Sequence, residues 1–291
     1  MRRNLPVVTD ACHLTRTVCL TALAMAVAGL AVGIAPAASH RWVLGGVLVV
    51  LAGQIGWLVY RSVRHLAHRE ASLRQASAEA EAHYVDVLRR VVHFTEARDR
   101  FTVGHSQRVG ELAGQIARKL GLDDRAVAQL RQAGELHDIG LVAISDELLN
   151  EKSLIAPDAF RRVQAHSEIG YEVLRPLGSL EPILPAVRHH HERMNGTGYP
   201  DALAGEQIPL AARILGVADS FDAMTHNRPH RPAMTRLNAI RELRRCSPAG
   251  YCADCVAALA EVFHVTALEE TLEKVAPAAL DTMHGQSVGV G

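Results

Sequence analysis

His189-His-His-Glu-Arg-Met-Asn-Gly-Thr-Gly-Tyr-Pro200 is the stretch on which the reading of this chain turns. It is read together with His137-Asp138-Ile139-Gly140 upstream. His105, His137, Asp138, His166, His190, His191 and Asp219 share one part of the chain, each at or near the start or end of an expected helix. Adjacent His-Asp and His-His pairs supply nitrogen and carboxylate donors without any cysteine. That mix suits a hydrolytic site for Mn, Fe or a similar ion better than a structural zinc site.

Outward from these motifs the pattern is helix, turn, helix. Ser106 to Leu120 puts Val109, Leu112, Ala113, Ile116, Ala117 and Leu120 on one face and stops at Gly121. Asp123 or Asp124 caps the next helix, whose Val127, Leu130, Ala133 and Leu136 lead to His137-Asp138. Pro157 to Leu174 predicts a helix holding His166, and Ile183 to Glu192 another that ends in the histidine triplet. Gly196 to Gln207, rich in Gly, Pro and Asp, reads as an ordered loop. Leu210 to Thr225 is a helix carrying Asp219, followed by Leu237 to Arg245 and Cys255 to Phe263. No alternating strand pattern is present, so the expected fold class of the soluble part is all-α.

Towards the N-terminus the composition changes. Thr17 to Pro36 and Trp42 to Tyr60 are apolar runs, each near the ~20 residues that cross a bilayer core as a helix. Arg2, Arg3 and Arg16 precede the first, and Arg61, Arg64 and Arg69 follow the second. The positive-inside rule then predicts a transmembrane hairpin with both ends in the cytoplasm and the loop Ala37 to Arg41 outside. The rival is a cleaved signal peptide, with Ala35-Pro36-Ala37 as the cleavage site. From Arg61 to about Arg98 no Pro or Gly interrupts a helical pattern, and Leu66, Leu73, Ala80 and Val87 recur at heptad spacing. This is either a coiled-coil seam joining a homodimer through the transmembrane and linker helices, or a single helical connector. The expected organisation is an anchor over residues 1–60, a linker over 61–91, the site-bearing domain over 92–276 and a disordered tail over 277–291.

Lys plus Arg and Asp plus Glu number 31 each, so net charge offers nothing to a nucleic-acid polymer, and an anionic ligand needs a local cluster. Aromatic residues make up only 4% of the chain, which with its abundant Ala, Leu, Val and Arg leans towards helix. The five cysteines are odd in number and sparse, which disfavours a secreted disulfide scaffold. Cys252-Ala-Asp-Cys255 reads as core cysteine rather than a redox pair.

His137-Asp138-Ile139-Gly140, His189 to Pro200 and Ile214-Leu-Gly-Val-Ala-Asp-Ser-Phe-Asp222 together resemble the HD-GYP family, a branch of the HD-domain metal-dependent phosphohydrolases. The resemblance runs from about Val92 to Val265, in the family's order and spacing. It implies an HD-type helical bundle that hydrolyses the bacterial messenger cyclic di-GMP to pGpG or GMP, which the charge pattern above would place on the cytoplasmic side of a bacterial inner membrane. It implies two divalent ions, Fe or Mn, held by His105, His137, Asp138, His166, His190, His191 and Asp219. Asp138 matches the bridging carboxylate and, with His137 and Asp219, carries the catalysis of water attack on phosphorus. Gly198, Tyr199 and Pro200 match the loop that names the branch and borders the dinucleotide. Arg228 and Arg231 match phosphate-holding positions, where a guanidinium fork suits the geometry. His189 reads as a neighbour of the ligands rather than one of them.

Four departures from the family pattern stand out. Leu141 replaces the Lys that reaches a substrate phosphate, and Phe101 replaces the Glu of members with a third metal. Glu151-Lys152-Ser153 replaces a Lys-Pro-Gly turn, and Tyr251-Cys-Ala-Asp-Cys255 a Phe-Asp-Pro-type turn. Leu141 opens a rival function, a cyclic di-GMP receptor with impaired turnover. An HD-type hydrolase of another nucleotide, and a scaffold whose partner is a diguanylate cyclase, are also open at this level.

Overall fold

The computed structural model describes residues 26, 27, 29, 30, 40–98, 101–149, 157–228 and 231–265. The chain divides into two units, Met1–Ser77 and Ala78–Gly291. In the first, helix α1 (His40–Glu96) begins with Trp42, Leu44, Leu48, Ile55 and Trp57 all exposed. Among the described residues it is the one helix long and apolar enough to cross a membrane, and none of its apolar window is buried. The expected second span and the linker are one continuous helix, because no proline or glycine breaks the chain between Trp57 and Glu96. The expected first span, Thr17 to Pro36, lies outside the described residues apart from Ala26, Val27, Gly29 and Leu30, which are helical and exposed. What the structure describes is thus one long apolar helix, not a hairpin. The expected tail, 277–291, and Glu151-Lys152-Ser153 also lie outside the described residues.

The second unit starts within α1, where Val85 and Val92 are buried and Arg89 Nε donates to Glu135 Oε2 at 2.6 Å. Helices α2 (His105–Lys119), α3 (Asp124–Leu136), α4 (Asp146–Leu149), α5 (Pro157–Gln164), α6 (His166–Leu174), α7 (Leu184–His189), α8 (Leu210–Thr225), α9 (Arg236–Cys246) and α10 (Ala253–Val262) follow. Short 3-10 turns cover Ile139–Ala143, Gly178–Ile183 and Gly205–Gln207. No strand occurs among the described residues, only two isolated bridges, Asn195 with Ala204 and Arg228 with Arg231. The fold is an all-α bundle, as the periodicity predicts.

Local chemistry sets the helix limits that matter for the site. Gly121, at φ 77°, ends α2 by donating to the Arg118 carbonyl while Leu122 N reaches Ala117 O, the Schellman pattern. Asp123 then caps α3 by accepting from Ala126 N at 2.7 Å. This tight connection folds α3 back along α2 and returns the end of α3 to the start of α2. The helix expected over Pro157 to Leu174 divides at Ala165, where the side chains of His166 and Ser167 bond the carbonyls of Val163 and Gln164. The helix expected to reach Glu192 stops at His189. Ile116, Leu136, Ile139, Leu174, Ile214, Leu215, Ile240 and Leu259 are fully buried, at roughly 1.5–3 kcal/mol each. Packing on this core, α2 meets α3, α8 and α10, while α7 meets α6 and α8. The start of α2, the ends of α3 and α7, the start of α6 and the middle of α8 therefore converge.

Candidate metal centre

The last carbonyls of a helix have no partner within it, and the histidines use them. His137, just past α3, places Nδ1 2.8 Å from Gly134 O; His190, just past α7, places Nδ1 2.7 Å from Val187 O. His166, at the head of α6, places Nδ1 2.7 Å from Val163 O at the end of α5. A carbonyl only accepts, so each Nδ1 carries the proton and each Nε2 lone pair faces inward. The Nε2 atoms of His166 and His190 consequently meet at 3.4 Å in a buried place. Two facing lone pairs repel unless a cation or a proton lies between them, and a divalent ion fits that need.

Asp138 sits among them, partly open to a cavity. Its Oδ1 is 3.4 Å from His166 Nε2 and 4.0 Å from His190 Nε2, while its Oδ2 is 3.3 Å from His137 Nε2 and 3.9 Å from His105 Nε2. Each oxygen thus faces its own set of imidazoles. Two groups of donor atoms able to hold an ion follow, Asp138 with His166, His190 and His191, and Asp138 with His105 and His137. Within each, the donor atoms lie within 4.8 Å of one another. Asp219, from α8, stands outside both groups but brings Oδ1 to 3.2 Å from His105 Nε2.

The two groups differ electrically. Burial opposes charge on His105, yet hydrogen bonds with Asp219 and Asp222 outweigh it and lift the imidazole to about 10. Burial likewise opposes charge on His137, and Asp138 outweighs it, raising its pKa. On the other side burial dominates, holding His190 well below its ordinary value and His191 down at about 4. Burial pushes the Asp138 carboxyl up, but His137, His166 and His105 together hold it well below the usual carboxylate range. Asp219 is held low against its own burial by the bond to His105. His190 and His191 are thus neutral and offer lone pairs at neutral pH, whereas an ion beside His105 must displace a proton.

The glycine-rich loop closes the site. A Cβ at Gly198 would collide with the backbone of Glu192 and Arg193, so the loop folds onto the residues just after the histidine triplet only with glycine there. Tyr199 lays its ring 4.7 Å from that of His191 and borders a cavity of about 330 Å³. That cavity is also lined by Asp138, Asp219, His105, His166, Leu141, Arg98 and Arg228. Leu141, on the 3-10 turn after Asp138, faces the cavity. Gly198, Pro200 and Arg231 do not line it; Pro200 leads into Asp201, and Arg231 donates to the Ala223 carbonyl at 2.8 Å. His189 points away from the donor groups, its Nε2 2.8 Å from Asp201.

Several supporting residues are given no role by the sequence reading. Glu96, buried, accepts from Gly104 N and Ser106 N and so holds the start of α2. Glu192, buried, accepts from Asp201 N and Leu203 N and so holds the loop. Arg98 joins the cavity wall. Asp222 carries His105 on its carboxylate. Glu192 and Asp222 fall inside motifs read from the sequence, but the partners of such carboxylates leave no local signature that assigns them these roles.

The fold and the donor set define an all-α domain built to hold metal. The HD-domain family model matches residues 92–251, and the chain belongs to that family, in its HD-GYP type. It is similar to a cyclic di-GMP phosphodiesterase of Thermotoga maritima, 35% identical over 193 residues, 65% of this chain and 52% of that protein. It is also similar to the 3'3'-cGAMP-specific phosphodiesterase 3 of Vibrio cholerae, 34% identical over 176 residues, 60% of this chain and 38% of that one. Among solved structures, Bd1817, an HDG"Y"P protein from Bdellovibrio bacteriovorus, shares the fold at a TM-score of 0.50 and 18% identity, over 64% of each chain. The chain spans about half the length, or less, of these curated relatives.

Proposed function

We propose that this chain is a membrane-anchored cyclic di-GMP phosphodiesterase whose site takes two divalent ions, iron or manganese. The observation that carries it is Asp138 shared between two donor groups, in a chain whose relatives bear the names of cyclic-dinucleotide phosphodiesterases. Asp138, His105 and His137, with Asp219 beside them, would hold one ion, and Asp138, His166, His190 and His191 would hold the other. Divalent ions bound there would supply Lewis acidity towards phosphoryl oxygens and a source of hydroxide at neutral pH.

The chain's own residues do the remaining work. Asp138 and Asp219, with His137, would hold the ions where they face the scissile phosphate. Arg228, on the cavity wall, offers a two-pronged donor to a phosphate. Arg231 supports that segment through its bond to Ala223, and the Gly198-Tyr199-Pro200 turn sets one border for a base. Water adds to phosphorus, the bond to the ribose oxygen breaks, and that oxygen takes the proton, giving pGpG, and GMP if the second diester is also cut. Residues 92–276 form the catalytic domain and residues 61–91 the linker. The exposed apolar part of α1 anchors the chain in the bacterial inner membrane, with Thr17 to Pro36 completing a hairpin that keeps the domain in the cytoplasm. Exposed Leu66 and Leu73 supply the seam of a homodimer.

A second reading is favoured by Leu141 on the cavity wall. In it the chain binds ions and dinucleotide but turns over little, acting as a receptor. The test is chromatography of cyclic di-GMP and 3'3'-cGAMP incubated with the full chain, loaded with Mn or Fe without oxygen, beside Asp138→Ala. Cyclic di-GMP hydrolysis that disappears in the variant is expected. Binding without hydrolysis would favour the receptor, faster loss of 3'3'-cGAMP would change the substrate, and neither binding nor hydrolysis would defeat both readings.

A further inference from the structure

We infer that Asp222 is a positioning residue that orients His105 and strengthens it as a ligand, with Arg108 holding Asp222 in place. The inference rests on the metal-dependent reading above. His137, His166 and His190 each rest Nδ1 on a main-chain carbonyl. His105 has no such support: it is the first residue of α2, and Gly104 before it turns at φ 73° without a preceding helix end. In place of a carbonyl, a buried carboxylate from another helix fills the role, with Asp222 Oδ2 2.7 Å from Nδ1.

The arrangement is doubly anchored. Asp219 and Asp222, one turn apart on α8, bracket the same imidazole, Asp219 at Nε2 and Asp222 at Nδ1. Arg108, one turn along α2 from His105, donates to both oxygens of Asp222, from Nε at 2.7 Å and Nη2 at 3.0 Å. Its Nη1 is tied to Val103 O. His226, half exposed, also lies 3.2 Å from Asp222 Oδ1. With its plane set by the guanidinium fork, Asp222 cannot turn away. A carboxylate draws the Nδ1 proton more strongly than a carbonyl does, which fixes the tautomer and makes Nε2 a better donor to an ion. Set beside His137, His166 and His190, His105 is the one that owes its ligand strength to a side chain.

The experiment is a Mn(II) titration of the full chain in detergent, read by the electron paramagnetic resonance of free Mn(II). Asp222→Asn keeps the shape and removes the charge. It is expected to weaken one Mn equivalent about 10–100-fold and leave the other unchanged, whereas Asp222→Glu recovers part of the loss. In a His105→Ala background the same change is expected to have no further effect, a result that a merely structural role would not give. Unchanged binding by Asp222→Asn, or an equal loss without His105, overturns the inference while leaving the metal site intact. No Mn binding by the unmodified chain overturns the metal reading and the inference with it. Should Asp222→Asn fail to fold, Arg108→Gln decides: a several-fold weakening of the same equivalent supports the role, and unchanged binding refutes it.

Discussion

Leu141 is the residue that separates the two proposed readings, hydrolase and receptor. It follows Asp138 by one turn of 3-10 helix and faces the same cavity, yet brings neither charge nor donor. Leu141→Lys would add a cation beside the phosphate position and is expected to tighten cyclic di-GMP binding about tenfold, or ~1.4 kcal/mol. Titration calorimetry of the metal-loaded chain checks it, and no gain would mean the position is indifferent to charge. His105 sets a pH dependence. In the metal-free protein its pKa is raised from 6.5 to about 10 against burial, through Asp219 and Asp222. A raised pKa means stabilisation that is fully present below pH 6.5 and is lost as pH climbs through about 10. Thermal melting of the metal-free chain should therefore fall across that window, while Mn affinity rises as the competing proton leaves. Calorimetry at pH 7.5 in two buffers of different ionisation heat should show a proton released as metal binds; equal heats would contradict it.

At the scale of elements, the site is a meeting of helix ends held by buried carboxylates. The loop from Asn195 to Ala204 contains no regular structure and depends on Glu192, which accepts from Asp201 N at 2.8 Å and Leu203 N at 3.1 Å. Replacing it strands two amides, a cost of about 1–3 kcal/mol for each group left unpaired in the interior. Glu192→Ala is expected to speed amide exchange at Asp201 and Leu203 by at least tenfold and to displace Tyr199 from His191, while the core helices keep their protection. Unchanged exchange in the loop would show that packing alone holds it. The histidine triplet, by contrast, was legible as a helix end because imidazoles that close a helix have free carbonyls at hand. Glu192 was not, since its partners lie beyond a loop whose path no local pattern specifies.

For the whole molecule, the first question is attachment. No residue in the apolar window of α1 is buried, whereas Val85 and Val92 near the end of the same helix are. Full-length protein is expected in the membrane fraction and resistant to carbonate extraction. A chain starting at Arg61 is expected to be soluble and still to bind Mn. Recovery of the full chain in the soluble fraction would remove the anchor from the proposal.

The amino-acid sequence by itself determined the all-α class and the helix limits within a few residues, and it singled out the His-Asp and His-His pairs, because apolar periodicity and adjacency are local properties. Leu141 was equally plain as a departure from a motif. Only the tertiary structure decided that Asp138 turns one oxygen to each histidine group, that Tyr199 lies against His191, and that Asp222 and Arg108 stand behind His105. The division of Pro157 to Leu174 at Ala165 belongs with these, since it follows from side chains bonding carbonyls the helix would otherwise use. The physical reason is common to all of them. Periodicity records which face of a helix avoids water, whereas the pairing of a donor on α2 with an acceptor on α8 depends on where the packed core brings those helices.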